Sequence, residues 1–164
     1  MAIVLQRSSL IDDISDMLMN STLFASFPPA EVRAVARYFS ISKVVERGVI
    51  FNEGDAGTFM CIVSTGKVSV LKADLNDENM AIATLSSGRT FGEMAVLDGE
   101  RRSATCIAAT DCALLTLSKG SLEKMRNDAA KIAAKVIRAV AVVLCKRLCI
   151  ADGKLVDHRQ SGAY

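Results

Sequence analysis

Residues 91–105 of the 164-residue chain read Phe-Gly-Glu-Met-Ala-Val-Leu-Asp-Gly-Glu-Arg-Arg-Ser-Ala-Thr. They hold the side chains best suited to chemistry. Gly92 is a residue type that lets a backbone approach a ligand closely. Glu93 beside it can accept hydrogen bonds from a pair of hydroxyls. After a short polar loop, Arg102 and Ser103 supply a guanidinium fork, a hydroxyl and backbone amides. Together they suit a small ligand with a sugar at one end and one negative phosphate at the other. The plainer alternative is a surface turn closed by a local Glu93–Arg102 ion pair.

Other chemistry finds little footing. The five cysteines (61, 106, 112, 145 and 149) have no paired Cys-x-x-Cys spacing, and the lone His158 is remote from all of them. Cysteines used this way are small buried hydrophobes in a reducing compartment. Cys145 and Cys149 stand four apart and can share a helix face, but a metal site needs more ligands than they offer. No phosphate-binding glycine loop, nucleophile–base pair or histidine cluster is present. An enzyme is therefore not expected, and no metal is called for.

Three textures position the 91–105 segment. Residues 8–39 read as helical. Leu10, Ile14, Met17 and Leu18 form one apolar stripe, Pro28-Pro29 interrupts, and Ala30 to Phe39 reads as a second helix with a proline in its first turn. Residues 40–118 instead alternate short apolar runs with turn residues. The runs are Ile41–Val45, Val49–Phe51, Phe59–Val63, Val68–Leu71, Met80–Leu85, Ser103–Ala108 and Cys112–Leu117. Gly48, Gly54, Gly57, Gly66, Asn76-Asp77, Gly88 and Gly99 punctuate them, as in an antiparallel sandwich or barrel.

From Lys119 the chain turns helical again. A short helix over 119–126 is expected, then Asn127-Asp128 as the N-cap of a long helix that Gly153 stops near Asp152. The long helix carries two apolar stripes. One is Ile132, Val136, Val140, Val143 and Ile150. The other is Ile137, Ala141, Leu144, Leu148, Ala151 and Leu155, with the alternating spacing of a coiled-coil seam. Both can be core. Lys131, Lys135, Arg138, Lys146 and Arg147 make full burial of this helix unfavourable, so the second stripe reads as a homodimer seam over 128–155. Lys131, Lys135 and Arg138 share a face that is either solvated or open to an acidic partner.

Composition narrows the class. Half of the residues are apolar (51%), enough for one core at this length. A net charge of +2 gives no global argument for nucleic acid. The apolar run Ala139–Cys145 is too short to span a bilayer, and no signal-peptide pattern opens the chain. A cytoplasmic protein with no membrane partner is expected.

The pocket motif Phe91-Gly92-Glu93-Met94-Ala95-Val96, the Arg102-Ser103-Ala104 that follows, Glu53-Gly54-Asp55 and the Ile62-Val63, Gly66, Val68 strand pair resemble the cyclic nucleotide-binding domain family over roughly residues 20–155. The similarity is to catabolite activator protein-like effector domains. It implies an α+β fold: an antiparallel, jelly-roll-like β-roll or barrel over 40–118, an N-terminal helical segment over 1–39, and C-terminal helices with a tail over 119–164. It implies a sensor of cyclic AMP or cyclic GMP that signals by rearranging its C-terminal helices to an unknown downstream protein. By resemblance, Arg102 binds the cyclic phosphate, with Ser103 adding a contact to phosphate or base. Glu93 accepts from the ribose 2′-hydroxyl, alongside the Gly92 and Met94 backbone. Ala95 presents its amide to the phosphate. Ile62, Val63, Leu85 and Val96 are implied as apolar walls. Where catabolite activator protein-like members present a Thr-Ser pair to adenine, this chain has Ala151 and Asp152. Asp152 can accept from adenine or from the guanine edge. The chain ends at Tyr164 without a DNA-reading element, so DNA is not expected as a partner. The alternative is a degenerate domain that serves as a protein interaction module without ligand.

Overall fold

The computed structural model describes residues 2–74 and 78–161. The turn expected at Asn76-Asp77 lies outside the described residues, as does the side chain of His158. Two helices open the chain, α1 (Ala2–Met19) and α2 (Pro29–Ala36). Six strands follow, β1 (Ser40–Val44), β2 (Val49–Phe51), β3 (Phe59–Thr65), β4 (Val68–Ala73), β5 (Asn79–Leu85) and β6 (Thr90–Phe91). The short helix α3 (Glu93–Asp98) precedes β7 (Thr105–Ala108) and β8 (Cys112–Ser118), and α4 (Lys119–Asp128) and α5 (Ala130–Ser161) close the chain.

The strands form two four-stranded antiparallel sheets, ordered β1-β8-β3-β6 and β2-β7-β4-β5. The sheets are not closed into a barrel, which corrects that part of the expectation. The two-residue β6 pairs only with β3, and β5 ends the second sheet paired only with β4.

Strand alternation builds two cores. In β3 and β8, Cys61, Val63, Cys112 and Leu114 point between the sheets, where they meet Phe51, Val68, Phe91, Cys106 and Ala108. Met60, Ile62, Leu115 and Leu117 face the other way, into the helices. There they pack with Ile14 and Leu18 of α1, Phe24, Val32 and Val35, Leu122 and Met125 of α4, and Ala133, Val136 and Val140 of α5. A sheet buried on both faces reads as a continuous apolar run, and 59–63 and 112–117 are such runs. The outer sheet is covered on one side only. Six of the seven residues of β5 are exposed, with Met80 and Ile82 each 59% accessible.

Several helix boundaries differ from expectation. The α2 helix ends at Ala36, and Tyr38 and Phe39 instead close tight turns onto the Val35 and Ala36 carbonyls. The α4 cap is Ser118, whose Oγ accepts from the Ser121 amide at 3.0 Å. Asn127-Asp128 do not cap α5, because they are still inside α4. The break falls at Ala129 (φ −147°, ψ 58°), and α5 starts one residue later. Gly153 does not stop α5, which runs on to Ser161. No heavy atom would come within 4 Å of a Cβ at Gly153. Without packing to bend the chain there, an interior glycine costs the helix only about 1 kcal/mol.

Candidate functional site

The segment 91–105 passes from β6 through α3 and a loop into β7, and it lines a cavity of about 640 Å³. Gly92 supplies the corner. Its φ of +74° lies in the left-handed region that favours glycine, and a Cβ there would stand 2.6 Å from Nη1 of Arg102. Gly57 brings the 54–58 loop against α3 so closely that a Cβ would lie 1.9 Å from that of Ala95. Ala56 pairs with Arg101 across the same junction.

Glu93 is the first residue of α3 and only 2% exposed. It does not pair with Arg102, so the local ion pair is not what holds this turn. Its Oε1 accepts from Nη1 of Arg147 on α5, while Oε2 is buried without a partner. Nη2 of Arg147 donates to the Thr90 carbonyl at 2.5 Å and to Thr90 Oγ1 at 3.1 Å.

Arg102 is 3% exposed. Its Nη1 donates to the Gly92 carbonyl at 2.8 Å and its Nη2 to the Phe59 carbonyl at 2.6 Å. The guanidinium carbon lies 3.9 Å from the centre of the Phe51 ring and 4.7 Å from that of Phe59. Stacking of this kind favours a cation. Nε is buried and unpaired. Burial pulls the Arg102 pKa below its ordinary value, opposed by nearby Cys61, Cys106, Asp55 and Glu93. Burial also pushes the thiols of Cys61 and Cys106 up to about 12. They are thiols, not thiolates, at neutral pH.

The site thus holds an orphaned acceptor on Glu93 and an orphaned donor on Arg102. Buried polar atoms are rarely left unpaired. Both residues line the cavity, where a small molecule carrying one hydroxyl and one anionic oxygen would meet complementary chemistry.

The structure brings together most of the residues singled out in the sequence. Gly92, Glu93, Met94, Ala95, Arg102 and Ser103 all line the cavity. Asp152 does not. It is exposed on α5, away from the cavity wall. Of the expected apolar walls only Leu85 lines the cavity, whereas Ile62, Val63 and Val96 are buried in the cores. Phe51, Val70, Phe91, Val143 and Ile150 serve as apolar wall instead. Sequence reasoning missed Arg147, and with it Arg89, Lys146 and Lys154 at the same cavity. A signal was available. Val136, Val140, Val143, Arg147, Ile150 and Lys154 repeat at helical spacing, so Arg147 interrupts the stripe that faces the body of the protein. Among the described residues, no three His, Cys, Asp or Glu side chains gather as a metal site would require. No helix among them is long and apolar enough to cross a membrane.

Comparison with known proteins agrees with this geometry. The sequence model of the cyclic nucleotide-binding domain matches residues 42–129, and the chain belongs to that family. It is 32% identical to the cyclic AMP receptor protein of Thermus thermophilus over 141 residues, covering 84% of this chain and 62% of that protein. It is 36% identical to a cAMP-dependent protein kinase regulatory subunit of Yarrowia lipolytica over 85 residues, covering 51% of this chain and 22% of that protein. The chain therefore spans less than two thirds of these relatives. Among solved structures, a cyclic nucleotide-binding domain from Methylobacillus flagellatus aligns with a TM-score of 0.79 at 26% identity, covering 90% of this chain and 83% of that one.

Proposed function

We propose that this chain is a non-enzymatic, cytoplasmic cyclic nucleotide sensor that binds cyclic AMP or cyclic GMP, with residues 1–39, 40–118 and 119–164 working as one domain. The observation that carries the reading is that Glu93 and Arg102, each with a buried polar atom left unpaired (Oε2 and Nε), line one cavity. Glu93 accepts from the ribose 2′-hydroxyl beside the backbone of Gly92 and Met94. Arg102 takes the cyclic phosphate in a charge-assisted contact. The Ala95 amide, in the first turn of α3 where helical N–H groups lack intrahelical partners, and Ser103 complete the phosphate end. Ile150 and Val143 offer the base an apolar surface. The exposed Asp152 serves the base only if α5 shifts toward the cavity. Output passes through α4 and α5, either to a downstream protein or across a homodimer seam on α5 within the expected span 128–155, from Ala130 onward.

Calorimetry with cyclic AMP, cyclic GMP and their 2′-deoxy analogues tests the reading. The ribo forms should bind more tightly than the deoxy forms, and Glu93→Ala should narrow that gap. Arg102→Leu should weaken binding about 30- to 1,000-fold. It should also cost about 1–3 kcal/mol of stability, because the Gly92 and Phe59 carbonyls lose their donor. Equal binding of ribo and deoxy ligands would overturn the role of Glu93. Unchanged affinity in Arg102→Leu would overturn the phosphate assignment. Burial of both anchors favours one second reading, a ligand-free interaction module, which a complete lack of nucleotide binding would leave in place.

A further inference from the structure

We infer that Arg147 is an internal competitor for the ligand at Glu93, so that nucleotide binding and release of the Arg147 contact are one exchange; this rests on the reading of the cavity given above. The argument starts from burial. Glu93 is 2% exposed, one carboxylate oxygen is taken by Arg147, and the other is sealed from solvent. A ligand hydroxyl cannot reach this carboxylate while the guanidinium lies on it.

The two sides of the contact differ in how firmly they are held. Glu93 and Thr90 belong to α3 and β6, and both are 2% exposed. Arg147 hangs from α5 beyond Val140, the last residue of that helix buried in the core, and its side chain is 39% exposed. When the contact opens, the mobile partner is the one on α5.

The chemistry allows the exchange in both directions. The guanidinium fork presents two N–H donors to Glu93 Oε1 and the Thr90 carbonyl. A sugar hydroxyl also donates, so it can replace the guanidinium at Glu93. Removing Arg147 leaves the buried Glu93 carboxylate without a hydrogen-bond donor, a cost that a ligand hydroxyl there offsets. The guanidinium adds the attraction of a full positive charge that a neutral hydroxyl lacks, so the ligand must spend part of its binding energy on displacing Arg147. Affinity is thereby set below what the cavity alone would give. Once Arg147 leaves, nothing polar among the described contacts ties the second half of α5 to the sheets. Lys135, by contrast, keeps the first half tied to Glu31 at 2.6 Å.

The test is calorimetry of cyclic AMP and cyclic GMP, each with its 2′-deoxy analogue, on the full chain and on Arg147→Met and Arg147→Lys. Methionine keeps an apolar stem on a half-exposed position, and circular dichroism with thermal unfolding verifies that each variant folds. Arg147→Met should bind the ribo ligand about tenfold more tightly than the parent, with Arg147→Lys in between. The 2′-deoxy ligand, which makes no demand on Glu93, should gain much less. Hydrogen exchange of the nucleotide-free Arg147→Met protein should be faster over 144–152 than that of the nucleotide-free parent. Ribo affinity in Arg147→Met equal to or weaker than the parent's would overturn the competition and leave the pocket reading standing. An equal gain for ribo and deoxy ligands would also overturn it, because the effect would not run through Glu93. If the folded parent and both variants bind neither nucleotide, the pocket reading falls, and the competition with it.

Discussion

In its first half, α5 sinks Ala133, Val136 and Val140 into the core at 1%, 1% and 2% exposure, whereas its second half leaves Leu148, Ile150 and Leu155 at 63%, 61% and 64%. The helix is one uninterrupted run of 32 residues, so the contrast is one of surroundings. Apolar packing against Leu122, Met125 and the β8 residues fixes the first half. The second half meets the body of the protein chiefly where Val143, Arg147 and Ile150 line the cavity. Packing is non-directional and hard to undo at a single point. A polar contact is local and can be exchanged. A helix anchored by the first and latched by the second is equipped to respond to a small molecule without unfolding.

That contrast can be broken most severely from the packed side. Val136→Asp places a charge without a counterion in the core and should cost about 3–5 kcal/mol, whereas Leu148→Asp should change stability by no more than about 0.5 kcal/mol. Urea unfolding of both variants checks this. Similar losses in the two would mean that the halves do not differ. Next in size is the effect on assembly. Ile137 and Leu144 are half-buried against the core, while Ala141, Leu148, Ala151 and Leu155 are exposed. If this stripe joins two copies, each fully buried leucine contributes about 1.5–3 kcal/mol. Leu144→Glu with Leu148→Glu should then give a monomer by light scattering that still binds nucleotide. A parent protein that is monomeric at micromolar concentration, with and without ligand, would remove the seam.

The smallest effect is chemical and sharpens the map of exposure. Cys145 and Cys149 are exposed, and Cys61, Cys106 and Cys112 are buried. Only the thiolate reacts, and Cys61 and Cys106 are held up to about 12. Iodoacetamide at pH 8 should therefore label Cys145 and Cys149 in the native protein, as mass spectrometry can read. Labelling of Cys61 or Cys106 without denaturant would contradict their burial.

Much of this was legible in the sequence wherever local chemistry decided the outcome. Short apolar runs at 49–51, 59–63, 68–71 and 112–117, cut by turn residues, foretold strands that the structure extends to 49–51, 59–65, 68–73 and 112–118. The Glu93–Arg102 neighbourhood followed because both residues lie on one short segment, which the structure folds as α3 and the loop into β7. What escaped notice was set by distant partners or by weak local signals. β6 is two residues, too short to leave a pattern, and exists because Thr90 and Phe91 pair with Ile62 and Cys61. Asn127-Asp128 have cap chemistry, but α4 continues through them and ends at Ala129, a residue with no breaking tendency of its own. Arg147 is 54 residues from Glu93, and only the helical phase of α5 hinted that it points inward. The open sheet edges could not be told from a closed barrel by strand spacing, since both produce the same alternation.

The length of α5 has a mechanical consequence. From Val140 to the last turn at Ser161 the helix extends about 30 Å. A pivot of about 10° at Val140 would carry that end sideways by about 5 Å, roughly the pitch of one helical turn. In the proposed sensor, that lever arm is long enough to turn an adjustment of one side chain at the cavity into a displacement of several ångströms at the end of α5. The displacement scales with how many residues follow the fulcrum, so removing only the turns of α5 beyond Lys154 would reduce it in proportion while leaving the cavity lining in place.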